Sequence, residues 1–313
     1  MERKTCWVLT GPTASGKTAL SIRLAKAHGC EIVCMDSMQI YRGMDIGTAK
    51  PTPMEMDGVP HHMLDVVAPT ENFSVAEYQE MAEDVCEAIF ARGHQPLFVG
   101  GTGLYLRALR HPMAMGVVAG DQLIRDELEA IADTPGGKER LHDELAQVDP
   151  VTADRLHVND SRRVIRALEV WRLTGKPFSE QPVMEGESRF NYSVATLTMD
   201  RGMLYDRINR RVDQMLDAGL IAEVKGLLAA GVPADAQALK AIGYKEIIRY
   251  LSGEWTLEMM IDELKKGTRH YAKRQLTWMR REEDVLWVDA LDADAYDQLN
   301  AYYTQGGTTN DHC

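Results

Sequence analysis

Residues 11–18 have the composition and spacing of a segment that wraps around phosphate groups. They fit the pattern GxxxxGK[ST] and read Gly11, Pro12, Thr13, Ala14, Ser15, Gly16, Lys17 and Thr18. In such a loop successive backbone N–H groups point at phosphate oxygens, and the N-terminus of the following helix adds positive potential. We expect Lys17 to reach the terminal phosphate and the Thr18 hydroxyl to hold Mg²⁺. The pattern predicts a bound di- or triphosphate but does not specify a nucleotide.

Asp36 is the acidic residue best placed to act beside this loop. It follows an apolar run, 31–35, whereas the run at 96–99 ends in Gly100-Gly101-Thr102 and supplies no acid. Ligands of open α/β sheets bind at the carboxyl ends of the strands, where such an aspartate would lie. Asp36 could therefore help to hold the metal or act as a general base. Its place in the sequence does not decide between the two roles.

The elements that must position these residues alternate between strand and helix. Apolar runs predict three strands, at 6–10, 31–35 and 95–99. Helical periodicity predicts helices at 18–28 and 73–92, the second starting with a capping box formed by Ser74 and Glu77. This order predicts an α/β fold, a doubly wound parallel sheet of the P-loop NTPase-like type.

The pattern changes after the third predicted strand. From about 113 to 182 it is mainly helical, and strands are predicted again only at 194–199 and 285–288, with helical stretches at 205–230 and 257–281. We therefore predict a core formed by 1–112 and 190–313 and a helical insertion domain at 113–189. The last residues, 306–310, have the composition of a frayed tail.

Charge and composition restrict the class of protein. Lys and Arg number 35 against 47 Asp and Glu, a net charge of −12 that argues against a nucleic-acid partner. The segment 265–281, however, carries seven basic residues and no acid, so the net charge alone decides nothing. No apolar run is long enough to span a bilayer, and the five cysteines form no CxxC pair, which disfavours zinc or a disulfide framework. We expect a cytoplasmic protein, with monomer as the default state.

Beyond the phosphate loop, a series of motifs resembles the bacterial tRNA dimethylallyltransferases, also called tRNA isopentenyltransferases. They are DSMQIYRGMDIGTAKP at 36–51, VPHHMLD at 59–65, VGGTGLY at 99–105, ND with Arg163 and RALEV at 159–170, AIGYKE at 241–246 and KRQLTWMR at 273–280. Together they cover roughly residues 5–290, and their joint occurrence in order is far more specific than the loop alone.

The resemblance implies transfer of a dimethylallyl group from dimethylallyl diphosphate to N6 of adenosine 37, beside the anticodon of tRNA. It implies that Asp36 is the base, that Thr102 contacts the diphosphate, and that Arg211 adds charge to the diphosphate clamp with Lys17 and Mg²⁺. The neighbouring Arg207 and Arg210 are alternatives to Arg211 for this contact with the diphosphate. Stretches that match tRNA-contacting segments of the family comprise Asp36, Ser37, Met38, Gln39, Thr102, Arg125, Arg162, Arg163, Val164, Ile165, Arg166, Lys240, Gly243, Tyr244, Lys245, Lys273, Arg274, Gln275, Thr277, Trp278 and Arg280.

Two other functions are compatible with parts of the sequence. A small-molecule or nucleoside kinase would use the same loop for ATP and Asp36 as base toward a hydroxyl, but it leaves the basic segment 265–281 unexplained. A non-catalytic, nucleotide-gated RNA-binding protein would leave Asp36 without a role. His61 and His62 are adjacent on an extended segment and point to opposite sides, so we interpret them as structural or substrate-contacting rather than as metal ligands.

Overall fold

One parallel sheet organises the core of the protein in a computed structural model, which describes residues 3–111, 120–181 and 187–306. The strands in this part of the chain are β1 Thr5–Thr10, β2 Cys30–Cys34, β3 His61–His62, β4 Gln95–Val99, β5 Asn191–Thr198 and β6 Val285–Asp289. Their order across the sheet is β3-β2-β4-β1-β5-β6, and every pair is parallel. The predicted fold class is confirmed.

Helices connect the strands and cover both faces of the sheet. In the core they are α1 Lys17–His28, α2 Pro53–Met56, α3 Val75–Ala91, α4 Gly103–Arg110, α9 Arg201–Asp217, α10 Leu220–Ala229, α11 Tyr244–Leu251, α12 Leu257–Met279 and α13 Ala295–Thr304. Between α4 and β5 lie α5 Gln122–Ala132, α6 Gly137–Val148, α7 Pro150–Arg155 and α8 Ser161–Thr174. Two buried clusters lie on opposite faces of β1, where alternate residues such as Val8 and Leu9 point to different sides.

The periodic segments form close to where the sequence predicts them, and the differences have local causes. The capping box of Ser74 and Glu77 starts α3 as expected. The stretch 205–230 is two helices rather than one, because Gly219 takes a left-handed backbone conformation with φ of 99° and starts α10. The two-residue strand β3 was missed, since two residues give too short a pattern to detect.

Contacts divide the chain into two compact units, Met1–Arg110 with Ser188–Cys313, and His111–Glu187. The second unit has its own small core, in which Leu128, Leu141, Leu145 and Leu168 are fully or almost fully buried. In its described residues this unit contains the helices α5 to α8 and no strand. The predicted domain boundary near 112, residues 307–310 of the tail predicted at 306–310, and Cys313 lie outside the described residues.

Two composition-based expectations concern cysteines and membrane segments. Cys6, Cys30, Cys34 and Cys86 are buried and unpaired, as expected for small apolar side chains. Across the described ranges, the helices are too short or too polar to traverse a lipid bilayer.

Candidate active site

The order of the strands brings three loops together at one edge of the sheet. β4 lies between β2 and β1, so the loop after β4 lies between Asp36, which follows β2, and the phosphate loop, which follows β1. The backbones of Gly100 and Met35 approach each other closely: a Cβ on Gly100 would lie 2.1 Å from the carbonyl oxygen of Met35. Two hydrogen bonds then join the loops: the Thr102 N–H donates to the Met35 carbonyl at 3.2 Å, and the Ser37 N–H donates to Thr102 Oγ1 at 3.1 Å.

Asp36 is held in one orientation by its own turn. Its Oδ1 accepts the N–H of Met38 at 2.9 Å, which fixes the carboxylate at the end of β2. Burial raises the pKa of Asp36 above its ordinary value, and the Met38 N–H, the positive charge of Lys17 and the charge of Arg211 oppose that rise. A carboxylate with a raised pKa is a stronger proton acceptor than a free one, as a general base requires.

Lys17 folds back over the phosphate loop. Its ammonium donates to the carbonyl oxygens of Gly11 at 3.0 Å and Pro12 at 2.8 Å. Burial, followed by the positive charge of Arg211, lowers the pKa of Lys17 to about 7, and only the Asp36 carboxylate works in the other direction. The ammonium form of Lys17 is therefore less favoured in this site than in water. A bound diphosphate would place negative charge beside Lys17 and so favour its protonated form.

The helix α9, which follows β5, brings arginines to the same loop. Arg211 donates to Thr13 Oγ1 at 3.4 Å, and a guanidinium nitrogen of Arg207 lies 3.6 Å from where a Cβ on Gly16 would be. Arg210, on the exposed side of α9, instead bonds to the Asp206 carbonyl of its own helix at 3.4 Å. Burial lowers the pKa of Arg211 without removing its charge at neutral pH. Arg211 and Arg207 therefore lie beside the phosphate loop, whereas Arg210 lies on the exposed side of the helix.

The donor set beside the loop suits Mg²⁺ bound together with a diphosphate. Thr18 is exposed on the first turn of α1, and the Ser15 hydroxyl is buried in the loop without a hydrogen-bond partner in the described residues. No group of three His, Cys, Asp or Glu side chains in those residues lies close enough to hold a metal by itself. Mg²⁺ commonly takes one or two protein oxygens, substrate phosphates and water, so Thr18 fits this mode of binding.

Comparison with known proteins identifies the family to which this site belongs. The model of the family described as IPP transferase matches residues 39–282. The chain belongs to the IPP transferase family. A curated tRNA dimethylallyltransferase of Halalkalibacterium halodurans is 51% identical over 288 residues, 91% of either chain. That of Bacillus anthracis is 48% identical over 303 residues, 96% of each. The predicted resemblance is confirmed.

Solved structures of the family share the fold. The full-length tRNA isopentenylpyrophosphate transferase of Bacillus halodurans is 47% identical and covers 97% of each chain, with a TM-score of 0.72. A eukaryotic dimethylallyltransferase described as acting on tRNA is 30% identical with a TM-score of 0.78, and the match covers 96% of this chain and 77% of that one. The architecture described above is thus that of the IPP transferases.

A glutamate on α10 holds the loop that carries Asp36 in this IPP transferase. Glu223 accepts the N–H groups of Asp45, Ile46 and Gly47 at 2.9, 2.7 and 3.1 Å, and the Tyr244 hydroxyl donates to it at 2.6 Å. Gln39 links the two ends of this loop, because its amide donates to the carbonyls of residues 48 and 49. Sequence reasoning missed Glu223, since nothing in its local pattern shows that it lies opposite a loop some 180 residues away.

The basic stretch on α12 presents an exposed face. Lys273, Arg274, Thr277 and Arg280 are exposed, as are Lys240 and Lys245 elsewhere in the core. A pocket of about 380 Å³ lies on this face, lined by His270, Lys273, Arg274, Thr277, Trp278 and Arg281. Trp278 is half-buried against the core and sits against Gly103, where a Cβ would come within 3.0 Å of its ring.

Four side chains of the predicted tRNA-binding stretches do not face solvent. Val164, Ile165, Tyr244 and Gln275 are at most 6% exposed. Each of these side chains is packed inside its own unit, and a tRNA contact for these four positions stays a prediction. They lie within matching motifs, and a motif on a helix necessarily contains residues from its buried face. Gly243 is also buried and contributes only backbone.

In the second unit, two of the predicted arginines flank a buried carboxylate. Glu169 is fully buried, and it pairs with Arg125 at 2.8 Å and with Arg166 at 2.5 Å. Arg163 is exposed and pairs with Asp160 at 2.8 Å, while Arg162 is exposed. Arg125 and Arg166 therefore have a structural partner in addition to their predicted place in tRNA binding.

Proposed function

We propose that this IPP transferase moves the dimethylallyl group of dimethylallyl diphosphate to N6 of adenosine 37 of tRNA, with Asp36 as the general base. Curated relatives that match at least nine-tenths of the chain are named tRNA dimethylallyltransferase, so the prediction of a tRNA-prenylating enzyme is confirmed. The observation that carries the residue roles is the meeting of Asp36, Thr102 and the phosphate loop at three neighbouring strand ends.

The proposed reaction forms a bond between N6 of the adenine and the terminal allylic carbon, and it breaks the bond from that carbon to the diphosphate oxygen. The proton on N6 passes to the Asp36 carboxylate, and pyrophosphate leaves as the anion. The exocyclic amine is a weak nucleophile, so a positioned base is useful. An allylic carbon can build up positive charge before the nucleophile arrives, which makes stabilisation of the leaving group at least as important as the base.

The leaving group is met by donors that the chain already directs toward the loop. Lys17, Arg211, Arg207 and the N–H groups of 11–18 would bind the diphosphate, and Thr102 lies on the Asp36 side of it. Mg²⁺, held by Thr18 and the diphosphate, would add charge neutralisation. The adenine must be extruded from the stacked bases of the anticodon loop before its amine can reach Asp36.

Transfer of label from dimethylallyl diphosphate to unmodified tRNA tests this proposal. We expect label in the RNA at a single adenosine beside the anticodon, release of one pyrophosphate per transfer, and no consumption of ATP. Turnover of ATP without label in the RNA would favour the alternative of a small-molecule or nucleoside kinase. We further propose that its partners are tRNA and dimethylallyl diphosphate and that the protein acts as a monomer in the cytoplasm.

Because the pKa of Lys17 is lowered, diphosphate binding should depend on pH. Its pKa of about 7 should rise when the negatively charged diphosphate binds, so the complex takes up a proton at higher pH. The affinity for dimethylallyl diphosphate should therefore fall as pH increases from about 7 to 9, by at most about tenfold per unit for one group. The affinity can be measured by calorimetry in buffers of different ionisation enthalpy, which also reports the proton uptake.

A Lys17→Met variant serves as the control for that titration. It should bind more weakly and show a flat pH profile over the same range, since a phosphate monoester group loses its last proton near about 6. A wild-type profile that is equally flat would show that Lys17 is fully charged before the ligand arrives.

The exposed basic residues of α12 are expected to bind phosphates of tRNA. Replacing Lys273 or Arg274 with Gln should weaken tRNA affinity and reduce the slope of log affinity against log salt by about 0.7 to 0.9 for each tRNA phosphate that the variant no longer binds. Lys225→Gln is the matched control, because Lys225 is exposed on α10 outside the predicted tRNA-binding stretches. If the slopes of all three variants equal that of the wild type, Lys273 and Arg274 belong to a solvated face only.

A further inference from the structure

Gln275 stands out within the basic stretch of α12 because its side chain points away from solvent. It follows Lys273 and Arg274, which are exposed, yet Gln275 is only 5% exposed. Its Oε1 accepts the N–H of Thr13 in the phosphate loop at 2.8 Å, and its Nε2 donates to the carbonyl of Gly101 at 3.0 Å. One amide thus bridges the loop after β1 and the loop after β4.

The two partners fix the orientation of this amide. An N–H can be met only by the oxygen and a carbonyl only by the NH₂ group, so a rotated amide would lose both hydrogen bonds. The close approach depends on glycine, because a Cβ on Gly101 would lie 2.0 Å from Gln275 Nε2. The next residue after Gly101 is Thr102, whose hydroxyl accepts from Ser37. Thr13, the other partner, also contacts Arg211 through its hydroxyl.

We infer that Gln275 is a positioning residue for the diphosphate site rather than a tRNA ligand. Its amide sets the distance between the phosphate loop and the Gly101-Thr102 turn, so it places the donors that receive the leaving group relative to Thr102 and Asp36. It does this from the buried side of a helix whose exposed side carries Lys273 and Arg274. This inference rests on the proposed function for the identity of the ligand, dimethylallyl diphosphate.

Substitutions of Gln275 and of its exposed neighbours on α12 should affect different substrates. Gln275→Met keeps the length of the side chain and removes both hydrogen bonds. We expect it to raise the KM and the Kd for dimethylallyl diphosphate about tenfold, the size of effect seen when buried hydrogen-bond partners are left unmade. Its Kd for tRNA should stay within about twofold of the wild type. Lys273→Gln should show the reverse, with weaker tRNA binding and an unchanged KM for the diphosphate.

Gln275→Glu adds a readout that a residue with only a packing role would not give. An ionised carboxylate can accept from Thr13 but repels the Gly101 carbonyl and the diphosphate, whereas a protonated one restores the donor. The ratio of variant to wild-type kcat/KM for dimethylallyl diphosphate should therefore rise several-fold as pH falls from 8 to 6. The titratable groups around the site are Lys17, Asp36, Arg211 and Tyr271, and the charge of an ionised Glu acts on them as well. The uncharged Gln275→Met is therefore the control, and its own ratio to the wild type should not change with pH.

The outcomes distinguish this inference from the proposed function. If Gln275→Met and Gln275→Glu weaken tRNA binding and leave the KM for the diphosphate unchanged, or if the ratio is flat with pH, Gln275 is not a positioning residue of the diphosphate site. If the wild type transfers no label, the proposed function fails. Equilibrium binding of inorganic pyrophosphate to the same variants then still tests the role of Gln275, and equal affinities would overturn it. Circular dichroism melting confirms that each variant is folded.

Discussion

Replacing Asp36 with Asn is expected to lower kcat for prenyl transfer by about 10²- to 10⁴-fold, the usual contribution of a positioned general base. Asn is the appropriate change because its side-chain oxygen can still accept the Met38 N–H that Asp36 accepts at 2.9 Å. The turn is retained and only the proton acceptor is removed. The Kd for tRNA should remain close to that of the wild type, since the effect lies in the chemical step.

The pH profile of the wild type provides a second test of the same role. Burial raises the pKa of Asp36, and the base works only when ionised, so activity should increase with pH through that raised pKa. The Asn variant should lose this acid limb. Asp45→Asn is the control, because Asp45 lies in the same loop and pairs with Lys50 at an exposed position. Asp36→Asn turnover equal to that of Asp45→Asn would exclude Asp36 as the base.

The local pattern of the sequence was sufficient to predict the chemistry at the ends of β1 and β2. The phosphate loop is contiguous, so the spacing of Gly11, Gly16 and Lys17 already contains its geometry. Asp36 can be found because it follows a buried apolar run, and parallel strands bring their carboxyl ends to one edge. Neither inference needs a contact between distant parts of the chain, and both segments lie where they were predicted.

What the sequence could not provide is which side of each helix faces the site. Gln275 and Arg274 are neighbours in one motif, but one is buried against the phosphate loop and the other is exposed. The direction of a helix face depends on packing against α4 and α9, which the motif does not encode. The same reason explains why Glu223 was missed and why the sequence left three arginines of α9 as alternatives.

The distribution of charge also accounts for how an acidic protein could bind the two polyanions proposed as its substrates. The positive charge is local: Lys17, Arg207 and Arg211 gather at the phosphate loop, and the exposed bases of α12 lie on one helix face. Each cluster acts at short range, within the distance of about 8 to 10 Å over which salt screens exposed charges. The net charge of −12 is a sum over the whole chain, and it does not describe the two places where anions are expected to bind.

Replacing Arg211 with Gln is expected to lower kcat/KM for dimethylallyl diphosphate by about 10²- to 10³-fold, as removal of one donor to a developing anion does in other enzymes. Arg211 is the arginine of α9 that bonds to the phosphate loop, through Thr13 Oγ1. Arg210→Gln is the matched control, because it removes the same charge one residue away on the exposed side of the helix. The ratio of the two variants measures proximity to the leaving group rather than net charge, and it should be obtained from steady-state rates at saturating tRNA.

Arg211 should also change the titration of Lys17, which makes its role separable from a loss of folding. Its positive charge is the second cause, after burial, of the lowered pKa of Lys17. Removing that charge raises the pKa, so the fall in diphosphate affinity above pH 7 should move to higher pH in Arg211→Gln and stay in place in Arg210→Gln. A weaker variant whose pH profile does not move would mean that Arg211 supports the loop without sharing the anion with Lys17. A shifted profile joins the two cations in one clamp, the arrangement that a departing pyrophosphate requires.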